Sequence, residues 1–390
     1  MSDTAANPDA VIVGHVCLDI IPSLAGDAQN APAAGPMIAP GTLTRIGPAT
    51  LATGGAVANT GLAMRQLGAA VRLVGSIGDD LFGEAIMQVM RHHDVPTDHL
   101  LCLAGDATSY SIVISPPGQD RSFLHCPGVN DLFEPARVSD DYLTGARLLH
   151  FGYPPMMRRV WIDGGEQLAD LFKRAGALGL TTSLDLCFPD ASAQAAQVDW
   201  RAFMARVLPQ VDLFVPSADE IAMMLGKPQV EVGDLQAVSA LAAELLALGP
   251  AAVVLKLGEA GLYAQVTADA DRLAGMGDAR PADVAQWRGG ACHAPCFTVD
   301  VQGTTGAGDT TVAGLLTAIL EGQPLLDAMT FAVGVGGHCV EQPDAVSGVP
   351  AAEVVHRRIA AGWRRRQSSA APDDWSCDAA SGNRIRSATT

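Results

Sequence analysis

Gly303-Thr304-Thr305-Gly306-Ala307-Gly308-Asp309 leads into a run in which Val312, Leu315, Leu316 and Ile319 recur at helical spacing. Small residues ahead of a helix leave backbone N–H groups bare, and the helix dipole favours negative charge at that end. Gly306, Ala307 and Gly308 therefore form a candidate anion hole. Asp309 falls in the first turn, where a carboxylate is favoured and can take a proton from a hydroxyl held beside the same hole. The same residues also suit a tight turn with Asp309 as a simple helix cap. This stretch alone weighs the two readings equally.

Upstream of it, short apolar runs alternate with helix-period stretches. Val11–Gly14, Val71–Gly75, Arg147–Phe151, Thr182–Leu186, Asp212–Val215 and Ala252–Leu257 read as buried strands. Between them, Ala56–Leu67, Gly165–Leu178, Asp199–Leu208 and Leu235–Leu248 read as helices. The alternation predicts an α/β fold with a doubly wound, mostly parallel sheet flanked by helices.

Two regions break that pattern. Ile20–Leu51 is rich in Pro, Gly and Ala, and Ser109–Ile114 with Arg121–Leu124 suggests a hairpin across Pro116-Pro117-Gly118. Together they predict a small β-sheet lid, with parts near 15–52 and 101–130, inside one domain spanning 10–366. Thr267–Gly290 is polar and Gly-containing and reads as an exposed loop. Residues 367–390 are Ser-, Ala- and Asp-rich without periodicity and read as a disordered tail.

The 390 residues carry 25 basic and 42 acidic side chains, a net charge of −17, which disfavours nucleic acid and anionic membranes as partners. No apolar run approaches the roughly 20 residues that span a bilayer, and the polar start lacks the basic region of an export signal. Eight cysteines sit among apolar neighbours, as reduced thiols of a cytoplasmic protein would. Cys292-His293-Ala294-Pro295-Cys296 lacks a second ligand pair at zinc spacing and reads as structural.

A second stretch, Gly54-Gly55-Ala56-Val57-Ala58-Asn59, places paired glycines at a helix start, where backbone can approach a ligand closely. Asn59 offers two donors and an acceptor to a hydroxyl-rich molecule. With Gly75-Ser76-Ile77-Gly78-Asp79-Asp80-Leu81-Phe82-Gly83 between them, these two stretches resemble the signatures of the ribokinase-like, or PfkB, carbohydrate kinases. The resemblance runs from about Val11 to about Pro350.

It implies a sugar or sugar-derived small-molecule substrate, ATP and Mg2+, and transfer of a phosphoryl group to a hydroxyl, most often a primary one. It makes Asp309 the catalytic base and Gly306, Ala307 and Gly308 the anion hole. Asp19, Gly54, Gly55 and Asn59 become substrate-binding residues. Lys256, Gly258, Gly261 and Thr305 fall on the nucleotide side, through the family-like stretch Val254–Gly261.

Ser217-Ala218-Asp219-Glu220 matches a motif whose acidic residue places magnesium through water. Glu220 survives while Ser217 replaces the family's Asn, and the same spacing makes a capping box. Gly303 replaces an Asp that helps to bind a monovalent cation, which leaves that cation uncertain and suggests Asp344 as a replacement charge. Oligomeric state stays open, although a lid sheet often seeks a partner in this family, which allows a homodimer. Arg121, Asn130 and Tyr153 are further pocket candidates.

A nucleoside kinase and a non-catalytic sugar or nucleotide sensor remain the alternatives on this fold. A nicotinamide oxidoreductase is disfavoured, since no G-x-G-x-x-G turn follows the first strand.

Overall fold

In strand β1 (Ala10–Gly14), Ala10 and Ile12 enter one core while Val11 and Val13 enter the other. Successive side chains of a strand point to opposite faces, so a strand covered on both sides must be apolar throughout. The computed structural model describes residues 7–24, 41, 43, 45–114, 122–190, 194–367, 372 and 374–388.

The further strands are β2 (Cys17–Pro22), β3 (Ala49–Gly54), β4 (Val71–Gly78), β5 (Leu100–Leu103), β6 (Tyr110–Ile114) and β7 (Ser122–Cys126). After them come β8 (Leu148–Gly152), β9 (Thr181–Asp185), β10 (Leu213–Phe214), β11 (Ala252–Lys256), β12 (Leu262–Val266), β13 (Ala291–Ala294), β14 (Ser376–Cys377) and β15 (Arg384–Arg386). Among the described residues the large sheet has 11 strands, in the order β14-β15-β13-β12-β11-β10-β9-β8-β1-β4-β5. From β5 to β11 neighbouring strands are parallel, and from β11 to β14 they are antiparallel. Helices Glu166–Ala177, Trp200–Val207 and Leu235–Leu246 make the crossovers, each burying an apolar stripe.

A separate four-stranded sheet, β3-β2-β6-β7, forms where the pattern is interrupted. The hairpin turn expected at Pro116-Pro117-Gly118, and Arg121 beside it, lie outside the described residues, as does most of the Pro- and Gly-rich stretch between β2 and β3.

Two expectations are corrected. Thr267–Gly290 is a packed insertion: it contains a helix, Ala270–Ala274, and buries Leu273, Met276, Ala279 and Val284. The Ala279 amide donates to Thr181 Oγ1 at 2.9 Å, and Arg272 donates to Asp212 Oδ1 at 2.8 Å, so the segment covers the amino ends of β9 and β10. Its four buried apolar side chains have no regular period, which is why it reads as a loop.

Residues 374–388 are ordered against the sheet, where a disordered tail is expected. β15 pairs with the edge of β13, an edge that would otherwise present unpaired backbone groups. Trp375 packs on the core beside Tyr263, ring centroids 5.9 Å apart, and the other ties are polar: Arg365 Nη2 donates to Asn383 Oδ1 at 3.0 Å, and the buried Asn383 amide donates to Thr330 Oγ1 at 2.6 Å.

Candidate active site

The carboxyl ends of the parallel strands meet at one edge, as ligand sites of open α/β sheets do. β1 delivers His15, β8 Tyr153, β9 Asp185, β10 Ser217 and β11 Lys256. Facing them are the start of helix Ala307–Leu320 and the small sheet. The cleft between has a volume of about 1130 Å3.

Asp309 lies on its floor, 3% exposed. The preceding Gly306 is left-handed, with φ 69°, which turns the chain into the helix. The Tyr153 hydroxyl donates to Asp309 Oδ1 at 2.7 Å and the Asn59 amide donates to Oδ2 at 2.9 Å, so both oxygens are held. Burial raises the Asp309 pKa, while Tyr153, Asn59 and Lys256 oppose the rise. Tyr153 has φ 68°, left-handed for a bulky residue, a conformation costing about 1–3 kcal/mol that concentrates at functional sites.

The paired glycines leave room for two neighbours. A Cβ on Gly54 would sit 2.5 Å from Asp19 Oδ2, and one on Gly55 would sit 2.5 Å from His15 Nδ1. Gly55 also has φ 85° at the start of helix Ala56–Gln66. On the small sheet, Asp19 pairs with Ser111 and Ser111 with His125, so these three form one cross-strand row on the cleft. Asn59 Oδ1 is buried without a hydrogen-bond partner among the described residues, which leaves an acceptor beside Asp309.

Lys256 Nζ contacts Asp185 Oδ1 at 2.6 Å and Oδ2 at 2.7 Å. The directions for the two partners pull apart. Burial raises Asp185 to about 7 against Lys256, whereas burial of Lys256 is outweighed by Asp185 and then Glu220, which raise it. Two short contacts from one ammonium decide for the charged pair, with the proton on Lys256. A Cβ on Gly308 would lie 3.6 Å from Lys256 Nζ, so the ammonium stands under the helix start. Glu220 also lines the cleft and closes a capping box with Ser217, its Oε2 accepting from the Ser217 amide at 3.0 Å.

Asp309, Gly306, Gly308, Asp19, Gly55, Asn59, Thr305, Lys256, Glu220 and Tyr153 are thus gathered on one cleft. Gly258 and Gly261 are not among its lining residues; they build the turn from β11 to β12, where the Leu257 amide donates to Gly261 O at 2.8 Å. Asn130 is fully buried and braces the backbone of Val16, its amide donating to Val16 O at 2.9 Å. Asp344 caps its own turn: Oδ1 accepts from the Val346 and Ser347 amides and Oδ2 from the Ser347 hydroxyl.

Sequence reasoning missed Asp185, His15, His125 and Ser111. Asp185 is the last residue of β9, one short of the end of the expected strand Thr182–Leu186, and carries a signal, a charged residue near a carboxyl strand end. His125 and Ser111 depend on strand register and carry none.

Residues 9–352 match the family model described as pfkB family carbohydrate kinase. Fructokinase-2 of Solanum habrochaites is 24% identical over 364 residues, covering 90% of this chain and 97% of that one. The ribokinase of Arabidopsis thaliana, solved with ribose and ATP, superposes with a TM-score of 0.69 at 19% identity, over 90% of this chain and 98% of that one. A fructokinase of Xylella fastidiosa with bound ATP gives 0.68 at 20% identity, over 91% and 99%. The fold and the match define an α/β sugar phosphotransferase. The chain belongs to the pfkB family of carbohydrate kinases.

Proposed function

We propose that this chain transfers the γ-phosphoryl group of MgATP to a primary hydroxyl of a sugar, with Asp309 as the base. The observation that carries the reading is the placement of Asp309: a carboxylate at a helix start, on the cleft, with each oxygen oriented by a separate donor.

In the proposed reaction Asp19 and Asn59 hold the sugar, and the row Asp19–Ser111–His125 lets the small sheet act as a lid. Asp309 accepts the hydroxyl proton, the oxygen attacks the γ-phosphorus in line, and ADP leaves. The helix start at Gly306 and Gly308 takes the transferred group, and Lys256 adds a fixed positive charge beneath it; the Ala307 amide donates to Thr304 O at 3.3 Å and is not free for that role. Thr305, on the same loop, lies on the nucleotide side.

The donor set suits magnesium. Among the described residues no three His, Cys, Asp or Glu side chains converge as a protein cage. Mg2+ is ordinarily held by one or two carboxylates, water and substrate phosphates, and Glu220 is a carboxylate on the cleft wall. When bound, the ion neutralises charge on the β- and γ-phosphates. Eight free thiols support a cytoplasmic setting, and the exposed Leu51 and Leu124 of the small sheet support a homodimer through it.

The test is ADP release measured with D-fructose, D-ribose, a ketodeoxy sugar acid and adenosine as acceptors. Sugar-dependent release that disappears in Asp309→Asn is expected. Background release with every sugar overturns the reading.

A further inference from the structure

Two imidazoles on the cleft take no part in the proton or phosphoryl transfer. His15 follows β1 directly, and its backbone is pinned from two sides: its amide donates to Gly152 O at 3.2 Å and its carbonyl accepts from the Val57 amide at 3.1 Å. Its side chain is 2% exposed and lines the cleft, with neither ring nitrogen partnered among the described residues. His125 lies across from it, ring centroids 5.3 Å apart. Its Nδ1 meets Ser111 Oγ at 3.0 Å, and its Nε2 is buried without a partner among the described residues.

Burial pushes His15 down to about 3, helped by His125, and burial also lowers His125 against the pull of Asp190. Both rings are therefore neutral, and each carries one donor and one acceptor nitrogen. Buried polar atoms are ordinarily paired; with His15 Nδ1 packed against Gly55, the two nitrogens left unpaired among the described residues, His15 Nε2 and His125 Nε2, describe the chemistry of what belongs there. A hydroxyl both donates and accepts and can satisfy either kind of nitrogen. A carboxylate or phosphate only accepts, and would enter a cleft already lined by Asp19, Asp131, Asp190 and Asp309, with Arg158 as the basic residue on that side.

We propose that His15 and His125 recognise the acceptor, as a pair of uncharged imidazoles that bind hydroxyls of a neutral polyhydroxy sugar. This rests on the sugar-kinase reading and narrows its substrate class. It also gives Gly55 a second reason to be glycine, since the imidazole of His15 fills the space a side chain would need.

Titration calorimetry with D-fructose and with D-ribose, without nucleotide, reads the wall independently of phosphoryl transfer. His15→Phe keeps a ring and removes both nitrogens; His125→Gln, on the half-buried strand, is the milder change. Each should weaken binding of the preferred sugar about tenfold, the scale of one lost hydrogen-bonding partner, with an unchanged KM for MgATP. A ketodeoxy sugar acid should bind native protein more weakly than either neutral sugar.

Unchanged affinity in folded variants, absence of binding by both neutral sugars, or preference for the acid overturns the proposal. Sugar binding lost in the variants, but no phosphorylation by the native chain, supports it and counts against the kinase reading alone.

Discussion

The floor and the wall of the cleft are built on opposite principles. On the floor, charged groups are matched to partners: Asp309 to Tyr153 and Asn59, Lys256 to Asp185, Glu220 to Ser217. On the wall, His15, His125 and Asn59 Oδ1 keep polar atoms unpaired among the described residues. A group that must act on developing charge works best when it is already oriented, because nothing then reorganises during the reaction. A group that must recognise a ligand works best when only the ligand completes it. Substitutions on the floor should therefore act on turnover and stability, and those on the wall on affinity.

The sharpest break comes at Asp309. Asp309→Asn keeps the shape and one accepting oxygen, but its NH2 donates where the carboxylate accepted and it cannot take a proton; it should lower kcat by about a thousandfold or more, while calorimetry still finds sugar binding. Near-native turnover would remove Asp309 from its role. The ion pair beside it comes next. Lys256→Met strips buried Asp185 of its counter-charge, so that the carboxyl must stay unpaired or take up a proton, and the loss of one partner of such a pair costs about 3–5 kcal/mol. Urea unfolding should find most of that loss restored in Lys256→Met with Asp185→Leu. Turnover should stay low in both, because the cation under Gly308 is missing.

A smaller effect is expected where floor and wall touch. Gly55→Ala forces a side chain into a left-handed backbone and against His15. It should raise the KM for sugar and destabilise by about 1–3 kcal/mol, read from sugar kinetics and thermal melting.

Tyr153→Phe is milder still and tests the proton. It removes a donor that favours ionised Asp309, so the Asp309 pKa, already raised by burial, should rise further. The reaction needs the carboxylate, so the acidic limb of the kcat profile should move to higher pH. Stability follows the same sign. A folded pKa above the unfolded value of about 3.9 gives a contribution that is full below that value and lost as pH rises through the folded one. Unfolding curves for Asp309→Asn should lack that loss.

The parallel half of the fold was legible because burial on both faces forces continuous apolar runs, as in Ala10–Gly14 and Ala252–Lys256. The added strands were not. Arg384-Ile385-Arg386 pairs with β13 beside polar contacts of Arg365 and Asn383 and a single packed Trp375, which leave no hydrophobic period. The floor was legible wherever a residue sits inside a Gly-marked turn, such as Asp309 or Asn59. The wall was not, because Ser111 and His125 are neighbours of Asp19 only through the register of β2, β6 and β7.

The smallest effect concerns the loop behind the anion hole. A Cβ on Gly303 would lie 3.0 Å from the carbonyl oxygens of both Gln342 and Pro343, so the glycine marks a closed space as well as a missing charge. Asp344 is held in its own turn by three accepted hydrogen bonds, and we expect it not to refill that place. Replacing potassium by choline should therefore leave kcat unchanged in the native chain, and Asp344→Ala should cost only the turn, about 0.5–2 kcal/mol as for a lost cap. Gly303→Asp should lower the melting temperature without creating potassium activation. Activation appearing in that variant would mean that the loop opens readily, and that the native chain lost its cation site through one residue alone.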